Sequence, residues 1–198
     1  MVAIAVWVRV PPSPGARSFA WWLVLGAASN VLAFLMGMHS INNHDLFHWY
    51  DLFSAMLLGL TGYLLLSDQR QRRAILVGMM VFAIFWALLT AGGDGLEFYS
   101  KYTSPGESFV GLSIGILLVA EAIRSSDDSP WSKPEAWLGF GLVLASAPAL
   151  GTSPIVNALA QTSRSAAMMV YRVSQTFSYV ALILWCIPYW KRSVTWGR

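Results

Sequence analysis

The chain has 198 residues, of which 56% are hydrophobic and only 12% charged, with a formal net charge of +3. A water-soluble domain carries about 25% charged residues, so an ordinary soluble fold is excluded. A basic excess this small, scattered over connecting segments, also excludes a nucleic-acid-binding surface, and the lone Cys186 excludes an intrachain disulfide.

The opening stretch, MVAIAVWVRVPPSPGAR, lacks a basic start and its apolar run is short before Pro11-Pro12. It is not expected to act as a signal peptide. Six apolar blocks follow, at about 18–38, 47–67, 74–92, 108–123, 136–151 and 166–188. Most approach the ~20 residues that carry a helix across the hydrocarbon core. The fifth is shorter and contains Pro148, so a kink or an incomplete crossing is expected there. The spacing predicts an all-α fold: one polytopic domain, a bundle of six transmembrane helices embedded in the lipid bilayer. Ten tryptophans, most of them near block ends, fit the same reading, since indole rings favour the membrane interface.

The basic residues set an orientation. Arg9, Arg17, Arg70, Arg72, Arg73, Arg124, Lys133, Lys191, Arg192 and Arg198 fall on one side of the alternating segments, and Lys101 and Arg164 on the other. Basic loops stay in the cytoplasm, so both termini are expected there. The residue types suggest the inner membrane of a bacterium. In the fourth segment Gly111 and Gly115, four apart, predict a close helix contact.

The polar residues inside the blocks carry the functional reading. All three histidines, His39, His44 and His48, lie in MHSINNHDLFHWYD, at the non-cytoplasmic ends of segments one and two. On a helix starting near residue 44, His44, His48 and Asp51 sit at i, i+4 and i+7, one stripe. Imidazoles and carboxylates one turn apart can converge on one transition metal ion. Asp94 and Glu97, i and i+3 after segment three, are candidate oxygen ligands, and His39 can close the site. The motifs HExxH, ExxH in pairs and CxxC are absent. The same residues also suit a metal-free acid–base or proton relay, or a solvated rim in which Asp45 caps the second helix. The sequence leaves these three readings open.

Asp51 and Arg172 lie a turn or more inside their blocks, at similar depths from the outer face. An unpaired charge there costs at least ~2.5 kcal/mol, so the two are expected to pair, with Gln175 nearby. Asn30 is expected to bond to a neighbouring helix, and Glu121 to pair with Arg124 at the interface. Tyr63, Trp86 and Met79-Met80 read as packing residues.

The functional expectation is a membrane enzyme or binding protein with a polar, metal-capable pocket between segments one, two, three and six, open to the non-cytoplasmic side. Its substrate would be a lipid or another apolar molecule. In the catalytic version His44 or His48 serves as base or ligand; Asp51 orients the imidazole and Arg172 binds an anionic group. The alternatives are a non-catalytic accessory subunit packed against other membrane subunits and, third, a small transporter.

Overall fold

The computed structural model describes residues 13–92, 102–125 and 129–190. Among the described residues there are six long helices and no strand: α1 (Pro14–Met38), α2 (His44–Leu65), α3 (Gln69–Ala91), α4 (Thr103–Ser125), α5 (Pro134–Ala160) and α6 (Arg164–Trp190). A single 3₁₀ turn, Pro130–Ser132, precedes α5. Five of the six, all but α2, are long and apolar enough to cross a membrane, so the chain is of the membrane-embedded type. The exception follows from sequence: α2 has 22 residues but carries His44, Asp45, His48 and Asp51 in its first half.

Local chemistry explains where the helices begin and end. Proline stands at the first helical position of α1 and of α5, where its missing N–H costs nothing. The Asp68 side chain accepts a 2.8 Å bond from the Arg70 backbone N–H and starts α3. α1 closes on Ser40, a non-glycine residue with φ 55°. Its N–H bonds to the Gly37 carbonyl at 3.1 Å, and the Ile41 N–H reaches Met36 O at 2.9 Å. This is a Schellman closure built on serine where glycine is usual.

The fifth helix corrects the expectation of a short segment. α5 has 27 residues and continues through both Pro148 and Pro154, about 40 Å at 1.5 Å per residue. Between the two prolines the Thr152 hydroxyl donates to the Pro148 carbonyl at 2.7 Å.

Packing centres on Phe19, Leu58, Leu118, Leu138, Leu142 and Trp185. The Gly111–Gly115 expectation is borne out. A methyl group on Gly115 would lie 2.8 Å from Gly139 O, and one on Gly139 would lie 2.6 Å from Gly115 O, so α4 and α5 touch backbone to backbone. α3 is the peripheral helix. Leu76, Val77, Met80, Val81, Ile84 and Leu88 are exposed on it, a broad apolar face of the kind lipid covers.

α2 and α4 run parallel. Asp51 pairs with Thr103, Ser54 with Glu107 and Ser67 with Glu121, so both residue numbers rise together along the contact. Parallel neighbours separated by one intervening helix place the last turns of α1, α3 and α5 and the first turns of α2, α4 and α6 at one end of the bundle. The other end holds Ser67, Asp68, Glu121 and Arg124. Glu121 pairs with Arg124 as expected, and Arg124 also reaches Asp68 at 3.6 Å.

Candidate functional site

Two polar rungs join α2 to α4, one helical turn apart. In the outer rung Thr103 Oγ1 donates to Asp51 Oδ2 at 2.7 Å and lies 3.1 Å from His48 Nδ1. All three side chains are buried: His48 is 2% exposed, Asp51 4% and Thr103 1%. Threonine has one hydroxyl hydrogen. With that hydrogen directed at the carboxylate, the contact between Nδ1 of His48 and the threonine oxygen is one in which the imidazole donates. The Trp86 indole N–H donates to the His48 carbonyl at 2.9 Å, so α3 braces this rung from behind.

The inner rung is a relay of three residues. Trp22 Nε1 donates to Ser54 Oγ at 2.7 Å, and Ser54 Oγ donates to Glu107 Oε1 at 2.5 Å. Tyr50, one turn before Ser54 on α2, lies beside Ser54 and Glu107. Glu107 is the fifth residue of α4, and it faces a cavity of about 710 Å³.

Helices α1, α2, α4, α5 and α6 line this cavity. α6 supplies one stripe, Tyr171, Ser174, Gln175, Ser178, Tyr179, Leu182 and Trp185, at the 3–4 residue spacing of a single helical face. α1 supplies Trp22, Leu23, Gly26 and Asn30, and α5 supplies Leu142, Ser146, Ala149 and Thr152. The floor is aromatic. Trp22 and Trp185 meet edge to face with centroids 5.0 Å apart, Phe19 joins Trp185 at 5.5 Å, and Tyr189 Oη donates to Ala16 O at 3.4 Å. These contacts seal α1 to α6 at the Arg17 end. Toward the other end, side chains of both α1 and α6 line the cavity.

Several sequence expectations are redirected by this geometry. The pocket was expected between segments one, two, three and six, but α3 forms no wall, and α4 and α5 do. His48 and Asp51 do come together, both meeting Thr103 Oγ1. His44 is half-buried at the first turn of α2, where its backbone N–H bonds to Asn42 Oδ1 at 2.9 Å. That bond, rather than one from Asp45, serves the start of the helix, and Asp45 is exposed. Among the described residues no three His, Cys, Asp or Glu side chains form a metal-holding group. The shared stripe of His44, His48 and Asp51 therefore does not close into a cage; the last two meet on the Thr103 hydroxyl. Asp94 and Glu97 lie outside the described residues, and His39 is exposed.

Arg172 is not brought to Asp51. It is exposed on α6, in a shallow recess with Ser165, Met168, Met169, Val173 and Thr176, to one side of the cavity stripe. Gln175 does face the cavity. Asn30 bonds back to Gly26 O of its own helix at 2.7 Å, not to a neighbour, and also lines the cavity.

Glu107, Ser54, Tyr50 and Thr103 were not legible as site residues. Glu107 preceded the apolar block that begins at 108 and so read as loop. The available signal was Ser104-Pro105-Gly106-Glu107, the S-x-x-E pattern with proline second that starts a helix before its apolar run. No protein-family model, no curated protein and no solved structure matches this chain.

Proposed function

We propose that the chain is a multi-pass protein of a bacterial inner membrane, with six transmembrane helices and both termini in the cytoplasm. On this reading its interior cavity binds, or acts on, a lipid-like or otherwise apolar molecule taken from the bilayer. The observation that carries the reading is the cavity itself. About 710 Å³ is within the ~300–1,000 Å³ range of small-molecule sites. Its lining mixes aromatic rings with hydroxyl, amide and carboxylate groups, as a site does that grips an apolar body and orients a polar head.

The entrance we assign is the side opening between α1 and α6, above the Phe19–Trp22–Trp185 seal. A molecule arriving through it never leaves the membrane, so its apolar part is not exposed to water. Glu107, not Arg172, is the ionisable group placed to meet its head. His48 and Asp51 act at one remove: by fixing Thr103 they fix the first turn of α4, on which Glu107 stands.

A long-chain alcohol bearing a photoreactive diazirine on its tail tests this. Irradiated in membranes, it should label Gln175, Ser178 and Leu182 as well as the lipid-facing Met80 and Ile84 of α3. Ser178→Trp fills the cavity and should abolish the first set while sparing the second. Labelling confined to α3-type surfaces in the native protein would rule the reading out.

A further inference from the structure

Resting on that reading, we infer that the molecule held in the cavity is a long-chain amine, its cationic head paired with Glu107. The argument begins with charge. Among the described residues that line the cavity, Glu107 is the one carboxylate, and no Lys, Arg or His accompanies it. Ser54 engages one carboxylate oxygen only, with a neutral hydroxyl. Glu107 is half-buried, and a carboxylate partly withdrawn from water without a countercharge is disfavoured. A ligand that brings the countercharge removes that penalty, and the site then favours cations over neutral heads by the energy of the pair.

The rings argue the same way. Trp22, Phe47, Tyr50, Tyr171, Tyr179 and Trp185 all line the cavity. The faces of such rings attract ammonium groups within about 6 Å. A phosphate is disfavoured, because among the described lining residues no side chain carries a positive charge to receive it. Phosphate-bearing membrane lipids are therefore poor occupants, even those with an amine at the tip. The serines lining α4, α5 and α6, Ser108, Ser146, Ser174 and Ser178 among them, supply neutral hydrogen-bond partners for hydroxyl groups near the amine.

The test uses two diazirine-tailed probes of equal chain length, a primary amine and the matching alcohol, on the intact protein in neutral maltoside micelles. The native protein should show cavity labelling by the amine at concentrations about tenfold or more below those the alcohol requires, the scale of a charge-assisted hydrogen bond. Glu107→Gln keeps the shape and the Ser54 bond but removes the charge, so it should erase the amine's advantage and leave alcohol labelling unchanged. Its unfolding temperature, measured in parallel, should match that of the native protein to within a few degrees. Equal labelling by both probes, or an amine advantage that survives Glu107→Gln, would overturn the cationic-head inference while leaving the cavity reading intact. Absence of cavity labelling by either probe would overturn both. Should Glu107→Gln fail to fold, excess unlabelled decyltrimethylammonium replaces it. Amine labelling that such a competitor suppresses, and excess decanol does not, supports the inference, and the reverse order overturns it.

Discussion

Thr103 Oγ1 donates to Asp51 Oδ2 across 2.7 Å, tying the first residue of α4 to the second turn of α2. Both residues are almost wholly buried. Removing the hydroxyl leaves a buried carboxylate short of a donor, and such losses cost about 1–3 kcal/mol. Thr103→Val should destabilise the protein by about that amount in detergent unfolding, and Thr103→Ser by much less. Asp51→Asn combined with Thr103→Val should be clearly non-additive. Asp51→Asn combined with Arg172→Gln should be additive within ~0.5 kcal/mol, as for residues that share no partner. Strong coupling in the second pair would restore the ion pair that the sequence alone suggested.

The α4–α5 contact makes a second prediction, set against an internal control. Gly115 faces the Gly139 carbonyl and the Val143 N–H, both backbone, at 2.8 and 2.9 Å from where a Cβ would stand. Backbone cannot swing aside, so Gly115→Ala should force the helices apart and cost about 1–3 kcal/mol. Gly78, on α3, has nothing within 4 Å of its would-be Cβ. Gly78→Ala should be neutral or stabilise by up to ~1 kcal/mol, from helix propensity. The paired unfolding curves decide it: a tolerated Gly115→Ala contradicts the close contact.

Asp68 supplies a pH dependence. The Arg70 backbone N–H, and after it the Arg124 guanidinium, hold its carboxyl below the usual carboxylate range. A carboxyl whose folded value is depressed adds stability that is fully present above its unfolded value, ~3.9, and is lost as pH falls through the folded one. Asp68→Asn keeps a capping acceptor but not the charge. The native protein should therefore melt higher than Asp68→Asn at neutral pH, and the two curves should converge in strong acid. A gap that widens toward low pH would show the wrong sign.

The orientation can be read directly. Ser40 stands in the short connection before α2, and Gln69 is the first residue of α3, just past the connection at the other end of α2. With the only native cysteine replaced, Cys186→Ser, single cysteines at these positions should react with an impermeant thiol reagent from opposite sides of sealed vesicles. Gln69→Cys should react from the cytoplasmic side, by the basic bias of Arg70, Arg72 and Arg73. Reaction of both from one side would dismantle the proposed topology.

Much of the architecture was visible in hydropathy, because lipid demands long apolar runs and the chain supplies them. The Glu121–Arg124 pair and the Gly111–Gly115 contact were also visible, since both depend on spacing within one helix. What stayed hidden depends on azimuth. Counting inward from the loops put Asp51 and Arg172 at similar depth, but depth says nothing about which way a residue faces. Arg172 turns to the outside of α6, whereas Asp51 turns to Thr103. Glu107 was lost for a different reason: apolar runs mark where a helix meets lipid, and the first turn of α4 is Thr-Ser-Pro-Gly-Glu, which meets α2.

The parallel pairing of α2 and α4 also has a consequence for biosynthesis. Asp51 meets Thr103 across 52 positions of chain, and Ser54 meets Glu107 across 53. α2 emerges first, and it is the helix whose composition least favours lipid. At about 5–20 residues per second, its polar side chains would wait several seconds before α4 is made. During that interval α2 must be sheltered by the insertion machinery or remain partly outside the bilayer. Nascent chains arrested before α4 should accordingly hold α2 less firmly in the membrane than chains arrested after it, and the polar rungs would then be the latch that completes insertion.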